Sequence, residues 1–263
     1  MTVVKEVSTE QLAHFPSLKG KNVFITGGGS GIGAAIVSAF AEQGAQVAFV
    51  DIDIDASEAL CERLAAAGLV EPQFRYCDIR DIAALQKTMQ VLAQKFGDFD
   101  VLVNNAANDE RHHWEEVTVD YWNDRIAINQ RPMFFTCQTV APGMQKKGGG
   151  SIINLSSISW HLSNGGYPVY TTAKAAVVGL TRGLARDLGP HNIRVNTISP
   201  GWVMTERQVA LWLDAEGEKD IKRNQCLPGK LQPWHLARMA LFLAADDSAM
   251  CTAQEFIVDA GWA

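Results

Sequence analysis

The chain has 263 residues, of which 47% are hydrophobic and 20% charged, with a formal net charge of −6 at pH 7; this is the make-up of a globular protein with a large core. The acidic balance gives nucleic acid no electrostatic reason to bind, and no apolar run approaches the roughly 18 residues a membrane-spanning helix needs. Five scattered cysteines, Cys61, Cys77, Cys137, Cys226 and Cys251, form no Cys-x-x-Cys pair, and their odd number argues against a complete disulfide framework.

Residues 1–19 include Lys5, Glu6 and Glu10, lack the apolar stretch of a secretory signal, and read as an N-terminal extension to one domain over 20–263, in a reducing cytoplasm. A strand over 22–26 leads into a helix over 32–43, a second over 46–51 into a helix over 56–67, and a third over 73–77 into a helix over 81–96. A fourth strand, 101–104, precedes one helix running through 119–146. After Gly148-Gly149-Gly150, a turn too short to separate domains, the pattern continues with a strand over 151–156, a long helix over 168–188, a strand over 193–199, a helix over 233–244 and a last strand over 255–258. Apolar strands alternating with helices predict an α/β fold whose parallel sheet is covered on both faces. Only 200–232 departs from the pattern. It mixes Trp202, Trp212, Gly217 and Pro228 with weak periodicity, and reads as a segment covering a substrate site or as a surface insertion of two short helices.

The first strand runs straight into Gly27-Gly28-Gly29-Ser30-Gly31-Ile32-Gly33 and then an alanine-rich helix. Strand, glycine turn and helix in that order form a seat for a dinucleotide: glycines let the backbone approach the pyrophosphate, and the helix N-terminus offers free N–H groups and partial positive charge. Asp51 closes the second strand, where its carboxylate can accept from ribose hydroxyls and repel a 2′-phosphate. NAD is therefore expected, with NADP as the weaker alternative. Asp53 and Asp55 deepen the negative potential, and Asp51 can alternatively cap the helix that follows. Asp78-Ile79 after the third strand has the same two readings: an acceptor for the adenine amino group, or an N-terminal cap of the next helix.

Tyr170 and Lys174 lie one helical turn apart, and Ser157 stands thirteen residues before Tyr170. A phenol, an ammonium and a hydroxyl make a proton-transfer set. An unperturbed tyrosine titrates near 10, so Lys174 is expected to lower the phenol by favouring the phenolate, while Ser157 orients the reacting oxygen. Around this set, Asn108-Asp109-Glu110-Arg111-His112-His113-Trp114 and Ser157-Ile158-Ser159-Trp160-His161 bring hydroxyl, imidazole, carboxylate and indole groups. Such walls suit a polyhydroxylated substrate better than an acyl chain or a steroid. Asn108, Asp109, Ser157, Ser159 and His161 are its polar candidates, and Trp160 and Trp202 its aromatic ones. The 108–114 stretch reads equally as a solvated loop. Adjacent His112 and His113 have no metal geometry, and no catalytic metal is expected.

These residues resemble the classical short-chain dehydrogenase/reductases over 18–263, through Thr26 to Gly33, Asn104-Asn105-Ala106-Ala107, Asn129, Ser157, Tyr170, Lys174 and Pro200-Gly-Trp-Val-Met-Thr205. The resemblance implies a Rossmann-like, doubly wound single domain of about seven parallel strands, assembled as a homotetramer. It implies that Ser157, Tyr170 and Lys174 are catalytic, that Asn129 holds a water linking Lys174 to solvent, and that Lys174 also binds the nicotinamide ribose. Thr205 would hold the carboxamide, and Asn105 and Val203 would line the cofactor. Two departures stand out: Ala107 replaces a common glycine, and Trp160 stands where a small residue is usual, which would narrow the pocket. The motifs at 108–112, 140–144, 157–161 and 259–262 are further similar to bacterial aldose 1-dehydrogenases, among them the D-xylose, L-arabinose and L-fucose enzymes. They imply NAD-dependent oxidation of the anomeric hydroxyl of a free pentose or 6-deoxyhexose to a lactone, in non-phosphorylative sugar catabolism. The other readings are a dehydrogenase of another polyol or secondary alcohol, a 3-oxoacyl-type carbonyl reductase, an NAD-binding protein without catalysis, and a scaffold.

Overall fold

Strand β1 (Asn22–Thr26) is buried at every position, as is β4 (Val101–Asn104), and both are short apolar runs without alternation. That is the pattern of strands covered on both faces. The computed structural model, which describes residues 13–263, adds β2 (Gln46–Asp51), β3 (Gln73–Tyr76), β5 (Gly150–Leu155), β6 (Ile193–Pro200) and β7 (Glu255–Val258). Among the described residues they make one seven-stranded sheet in the order β3-β2-β1-β4-β5-β6-β7, parallel at every pairing.

Helices α1 (Gly31–Glu42), α2 (Ile54–Ala66) and α9 (Pro233–Ala244) pack one face of the sheet through Ile36, Phe40, Leu60, Leu64, Leu236 and Leu241. Helices α3 (Ile82–Phe96), α5 (Arg131–Lys147) and α6 (Pro168–Leu188) cover the other through Leu85, Met89, Val140, Met144 and Ala185. Strand order reverses between β1 and β4, and a crevice opens there beyond the carboxyl ends of the strands, the usual ligand position in such sheets. Among the described residues no helix is long and apolar enough to cross a membrane. The expected extension over 1–19 lies mostly outside the described residues.

The continuous helix expected through 119–146 is two helices. Helix α4 (Val119–Asn129) ends at Gln130, whose φ of −141° and ψ of −53° leave the helical region, and α5 starts with Pro132 in its first turn. Proline lacks an N–H and disfavours helical backbone before it, so the ladder breaks there. The 200–232 segment does carry two short helices, α7 (Glu206–Trp212) and α8 (Ala215–Asn224).

Candidate active site

The crevice is a cleft of about 1100 Å³ bordered by the glycine turn, the ends of β2, β3, β4 and β5, the face of α6 and the 200–208 segment. Its nucleotide end contains Gly27, Ser30, Gly31, Ile32, Gly33, Asp51, Asp78, Ile79 and Asn105. Here the glycines answer steric demands. A Cβ on Gly33 would lie 1.8 Å from the Gly27 carbonyl oxygen, and one on Gly27, whose φ is +67°, would lie 2.8 Å from Ala106 Cα. Asn105 staples the turn to β4, donating from Nδ2 to Gly27 O at 2.7 Å and from its backbone N–H to Thr26 Oγ1 at 3.0 Å. Ser30 stands at the cap position of α1 without making a side-chain cap, so the leading N–H groups of α1 face the cleft uncapped. A pyrophosphate fits this cradle by both shape and charge.

Neither aspartate spends itself on a helix. Asp53 caps α2, accepting from Ala56 N–H at 3.0 Å, and Asp81 caps α3, accepting from Ala84 N–H at 3.0 Å. Asp51 instead accepts from Gly29 N–H at 2.8 Å, so one carboxylate fixes the glycine turn and charges the end of β2. Asp78 is bound by Arg80 at 2.6 Å, which holds its carboxyl below the usual range. Arg80 also reaches Asp124 at 2.9 Å, Asp124 pairs with Arg125, and Arg125 reaches Glu110 at 2.9 Å. This run of five charges links the nucleotide end to the loop after β4, and three of them, Asp78, Arg80 and Arg125, border the cleft.

The opposite end holds the reacting set. Ser157, Tyr170 and Lys174 all border the cleft. Ser157 hydrogen-bonds the Tyr170 phenol and accepts from Ser159 N–H at 3.1 Å. Lys174 is fully buried and donates to Leu155 O at 2.8 Å, with its Nζ 5.7 Å from the Tyr170 ring centre. The expected lowering of the phenol by Lys174 is not what the protein itself produces. Tyr170 opens partly on the cleft, yet desolvation and then the Asp109 charge push its phenol up, against the Ser157 hydrogen bond. Burial in turn pulls the Lys174 ammonium down to about 7, opposed by Asp109. Low dielectric disfavours either charge, so burial raises the phenol and lowers the ammonium together.

Asn129 is fully buried beneath the cleft, and the Asn108 backbone occupies its amide at both ends, with Nδ2 to Asn108 O at 3.0 Å and Asn108 N–H to Oδ1 at 2.8 Å. The α4–α5 break also affects Asn129. Pro132 has no N–H and Met133 donates to Gln130 O at 3.2 Å, so the groups that would satisfy the Asn129 carbonyl in a continuous helix are absent or spent.

Of the substrate candidates, Asn108, Asp109, Ser157, Ser159 and Trp202 border the cleft, while Trp160 and His161 do not. A 3-10 turn over Ile158–Trp160 carries the Trp160 indole onto the His161 ring, 3.7 Å between centres. His161 is then held by Glu255 of β7 at 3.0 Å. The expected narrowing of the pocket by Trp160 is thus corrected: its indole packs against its neighbour and not over Ser157. Ser159, in contrast, has a buried hydroxyl with no partner. Ala107 keeps ordinary negative φ, so the missing glycine is harmless.

The 200–208 segment closes the far wall. Val203 and Thr205 border the cleft opposite the glycine turn, where a Cβ on Gly31 would meet Thr205 Cγ2 at 3.1 Å; Thr205 Oγ1 also caps α7, accepting from Gln208 N–H at 3.2 Å. Gln208 accepts from Trp202 Nε1 at 3.0 Å and donates to Asp109 at 2.6 Å, latching the segment to the loop after β4. Sequence reasoning missed Gln208 and Tyr167, and it named Arg111 and Trp262 only as members of motifs, without a site role; all four border the cleft. Arg111 stacks over the Tyr167 ring at 4.0 Å. Trp262 meets Trp202 edge to face at 6.3 Å, and Asp259 anchors it by accepting from its N–H at 3.0 Å. Among the described residues no cluster of three or more His, Cys, Asp or Glu side chains could hold a metal ion.

A family profile described as enoyl-(acyl carrier protein) reductase matches residues 27–263. The chain is 50% identical over 250 residues to the D-xylose 1-dehydrogenase of Caulobacter vibrioides, covering 95% of this chain and 98% of that one. It is 49% identical over 249 residues to the probable galactose dehydrogenase of Rhizobium meliloti, covering 95% and 97% respectively. Among solved structures, a 7α-hydroxysteroid dehydrogenase determined with NADH and 7-oxo glycochenodeoxycholic acid superposes with a TM-score of 0.87 at 32% identity, over 93% of this chain and 95% of that one.

Proposed function

The chain belongs to the short-chain dehydrogenase/reductase family, and from that premise we propose that this oxidoreductase converts a free aldose to its lactone at C1, with NAD as the preferred cofactor. The observation that carries the proposal is the proton-transfer set of Ser157, Tyr170 and Lys174 opening on a cleft whose far wall is charged and aromatic, through Asp109, Arg111, Trp202 and Trp262. Hydroxyl-rich substrates match such a wall; a fatty-acyl chain does not. The similarity to two sugar dehydrogenases along nearly the whole chain supports the same substrate class.

Gly27 through Gly33, Asn105, Val203 and Thr205 would hold the dinucleotide, with Asp51 accepting from the ribose hydroxyls and Asp78 facing the adenine. A bound oxidised nicotinamide supplies the hydride acceptor for C1 and a positive charge that favours anions nearby. Tyr170 would act as the phenolate, which that positive charge favours against the pull of burial, and take the proton of the C1 hydroxyl, while Ser157, with Ser159 beside it, holds that oxygen in line. Lys174, whose ammonium burial brings down to about 7, would pass the proton on to solvent through a water held by Asn129. The sugar's ring oxygen stabilises positive charge developing at C1, which makes the anomeric carbon the easiest to oxidise. Asp51 supports NAD over NADP because a 2′-phosphate would meet a like charge in a partly desolvated place.

We further propose a cytoplasmic homotetramer. Five unpaired cysteines suit a reducing compartment, and Val119, Trp122 and Phe134 expose apolar surface on α4 and α5 for self-association. The test is initial rates of NADH formation at mildly alkaline pH with D-xylose, L-arabinose, L-fucose, D-galactose and D-glucose, using NAD and then NADP. Saturable turnover of one sugar with NAD is expected; silence with every aldose but reduction of 3-oxoacyl substrates would replace the reading with a carbonyl reductase. Sedimentation velocity tests the tetramer.

A further inference from the structure

Helix α6 carries Tyr170 and Lys174, yet its N-terminus lacks the usual cap. Tyr167 at the cap position makes no side-chain cap, and Pro168 has no N–H to satisfy. The first N–H needing an acceptor is that of Val169, which is buried and adjacent to Tyr170. Its acceptor comes from 57 residues away: Val169 N–H donates to Nε2 of His112 at 3.3 Å.

Two contacts fix the state of that imidazole independently. Nε2 faces an N–H, which can only donate, so Nε2 must carry a lone pair. Nδ1 faces the Glu110 carbonyl oxygen at 3.2 Å, which can only accept, so Nδ1 must carry the proton. The Tyr121 hydroxyl, 2.9 Å from Nδ1, is compatible as a second acceptor. The same stretch of loop grips the lead-in of α6 twice more: His112 N–H donates to Gly166 O at 2.8 Å, and Arg111 covers the Tyr167 ring at 4.0 Å. On the other side Tyr121 and Arg125 of α4 face the ring and its loop, with Arg125 tied to Glu110 at 2.9 Å.

We propose that His112 is a positioning residue for the reaction: as a neutral imidazole protonated on Nδ1, it caps α6 from the loop after β4 and so sets where the Tyr170 hydroxyl stands relative to Ser157. This rests on the reading of Tyr170 as the proton acceptor. A cap is worth enough to hold a helix's first turn, and a small displacement of a reacting group is costly in rate.

Imidazole 1H–15N correlation spectra of the 15N-labelled protein at pH 8, with the His112 signals assigned by their loss in His112→Gln, test the state directly. The Nδ1–H tautomer is expected; the Nε2–H tautomer or a doubly protonated ring overturns the proposal. In kinetics, His112→Ala should lower kcat by roughly tenfold, while the dissociation constant for NAD, followed by fluorescence, changes less than about twofold. His112→Gln, whose amide oxygen can reach the Nε2 position, should recover most of kcat, and the shorter His112→Asn should not. Unchanged kcat in His112→Ala, or equal kcat in the Gln and Asn variants, sinks the proposal. If Tyr170→Phe retains turnover, the role given to Tyr170 fails while the tautomer result stands, so the two failures are separable.

Discussion

The two ends of the cleft are made differently. At the nucleotide end the ligand-facing surface is largely backbone, shaped by the glycines of one strand-turn-helix unit and held by Asn105 from β4, plus carboxylates at strand ends. At the reacting end it is side chains, drawn from the 108–112 loop, the 157–159 turn, α6, the 200–208 segment and Trp262. The first construction tolerates no added atom, and the second tolerates change at a graded cost.

That contrast is broken or sharpened by substitution. Gly33→Ala, which drives a Cβ to 1.8 Å from Gly27 O, should abolish NAD binding altogether in titration calorimetry; retained binding would show that the turn is softer than its geometry. Tyr170→Phe should keep NAD binding and lose at least about 10²-fold in turnover, the usual scale for a missing proton-transfer group. Asp51→Asn keeps an acceptor and removes a charge, so the ratio of kcat/KM for NADP to that for NAD should rise about tenfold, the equivalent of ~1.4 kcal/mol. Equal ratios in the two proteins would remove Asp51 as the selector.

A pH experiment probes the buried pair at the reacting end. Lys174 is held near 7 in the folded protein against an ordinary lysine near 10.4, so between those values the unfolded chain binds the extra proton. Stability therefore rises with pH from about 7 to about 10 on account of this residue. The raised Tyr170 phenol acts in the opposite direction above about 10, where the folded state keeps a proton that the unfolded state releases. Thermal unfolding between pH 7 and 10 should show the rise, and Lys174→Met should flatten it. The mildest effect belongs to Gln208→Ala, which frees Trp202 from Asp109. The sugar KM should rise about threefold, on the scale of one hydrogen bond, with NAD affinity unchanged.

The same contrast governs what could be read before folding. The seven-stranded alternation and the nucleotide end were legible because each demand falls on a residue type at a local position: Gly33 where no Cβ fits, Asp51 where β2 ends. Whether Asp51 and Asp78 were caps was open in the sequence, because Asp53 and Asp81 offer the same chemistry a few residues on; only the turn geometry separates them. Trp160 and His161 were misplaced because a single 3-10 turn redirects them toward β7. The α4–α5 break had a signal in Pro132, outweighed by the apolar period on both sides of it. Gln208 had none, since its partner Asp109 lies 99 residues away, and Trp262 was visible only within a motif at 259–262, without a place in the cleft. His112 had an indirect one. A long helix opening on Tyr167-Pro168, with no Ser, Thr, Asp or Asn to cap it, must find an acceptor elsewhere.

The run of five charges is a physical path by which the two ends can feel one another. Asp78 stands at the nucleotide end and Glu110 beside the sugar-facing loop, with Arg80, Asp124 and Arg125 between them. Whatever factor the nucleotide contributes to sugar affinity through this run, the sugar must return to the nucleotide. Asp78 is 34% exposed, Arg80 48% and Glu110 53%, so counterions reach the run at both ends. With a screening length of about 8 Å at 0.15 M and 3 Å at 1 M, added salt is a handle on the cooperativity of the two ligands, separate from the affinity of either.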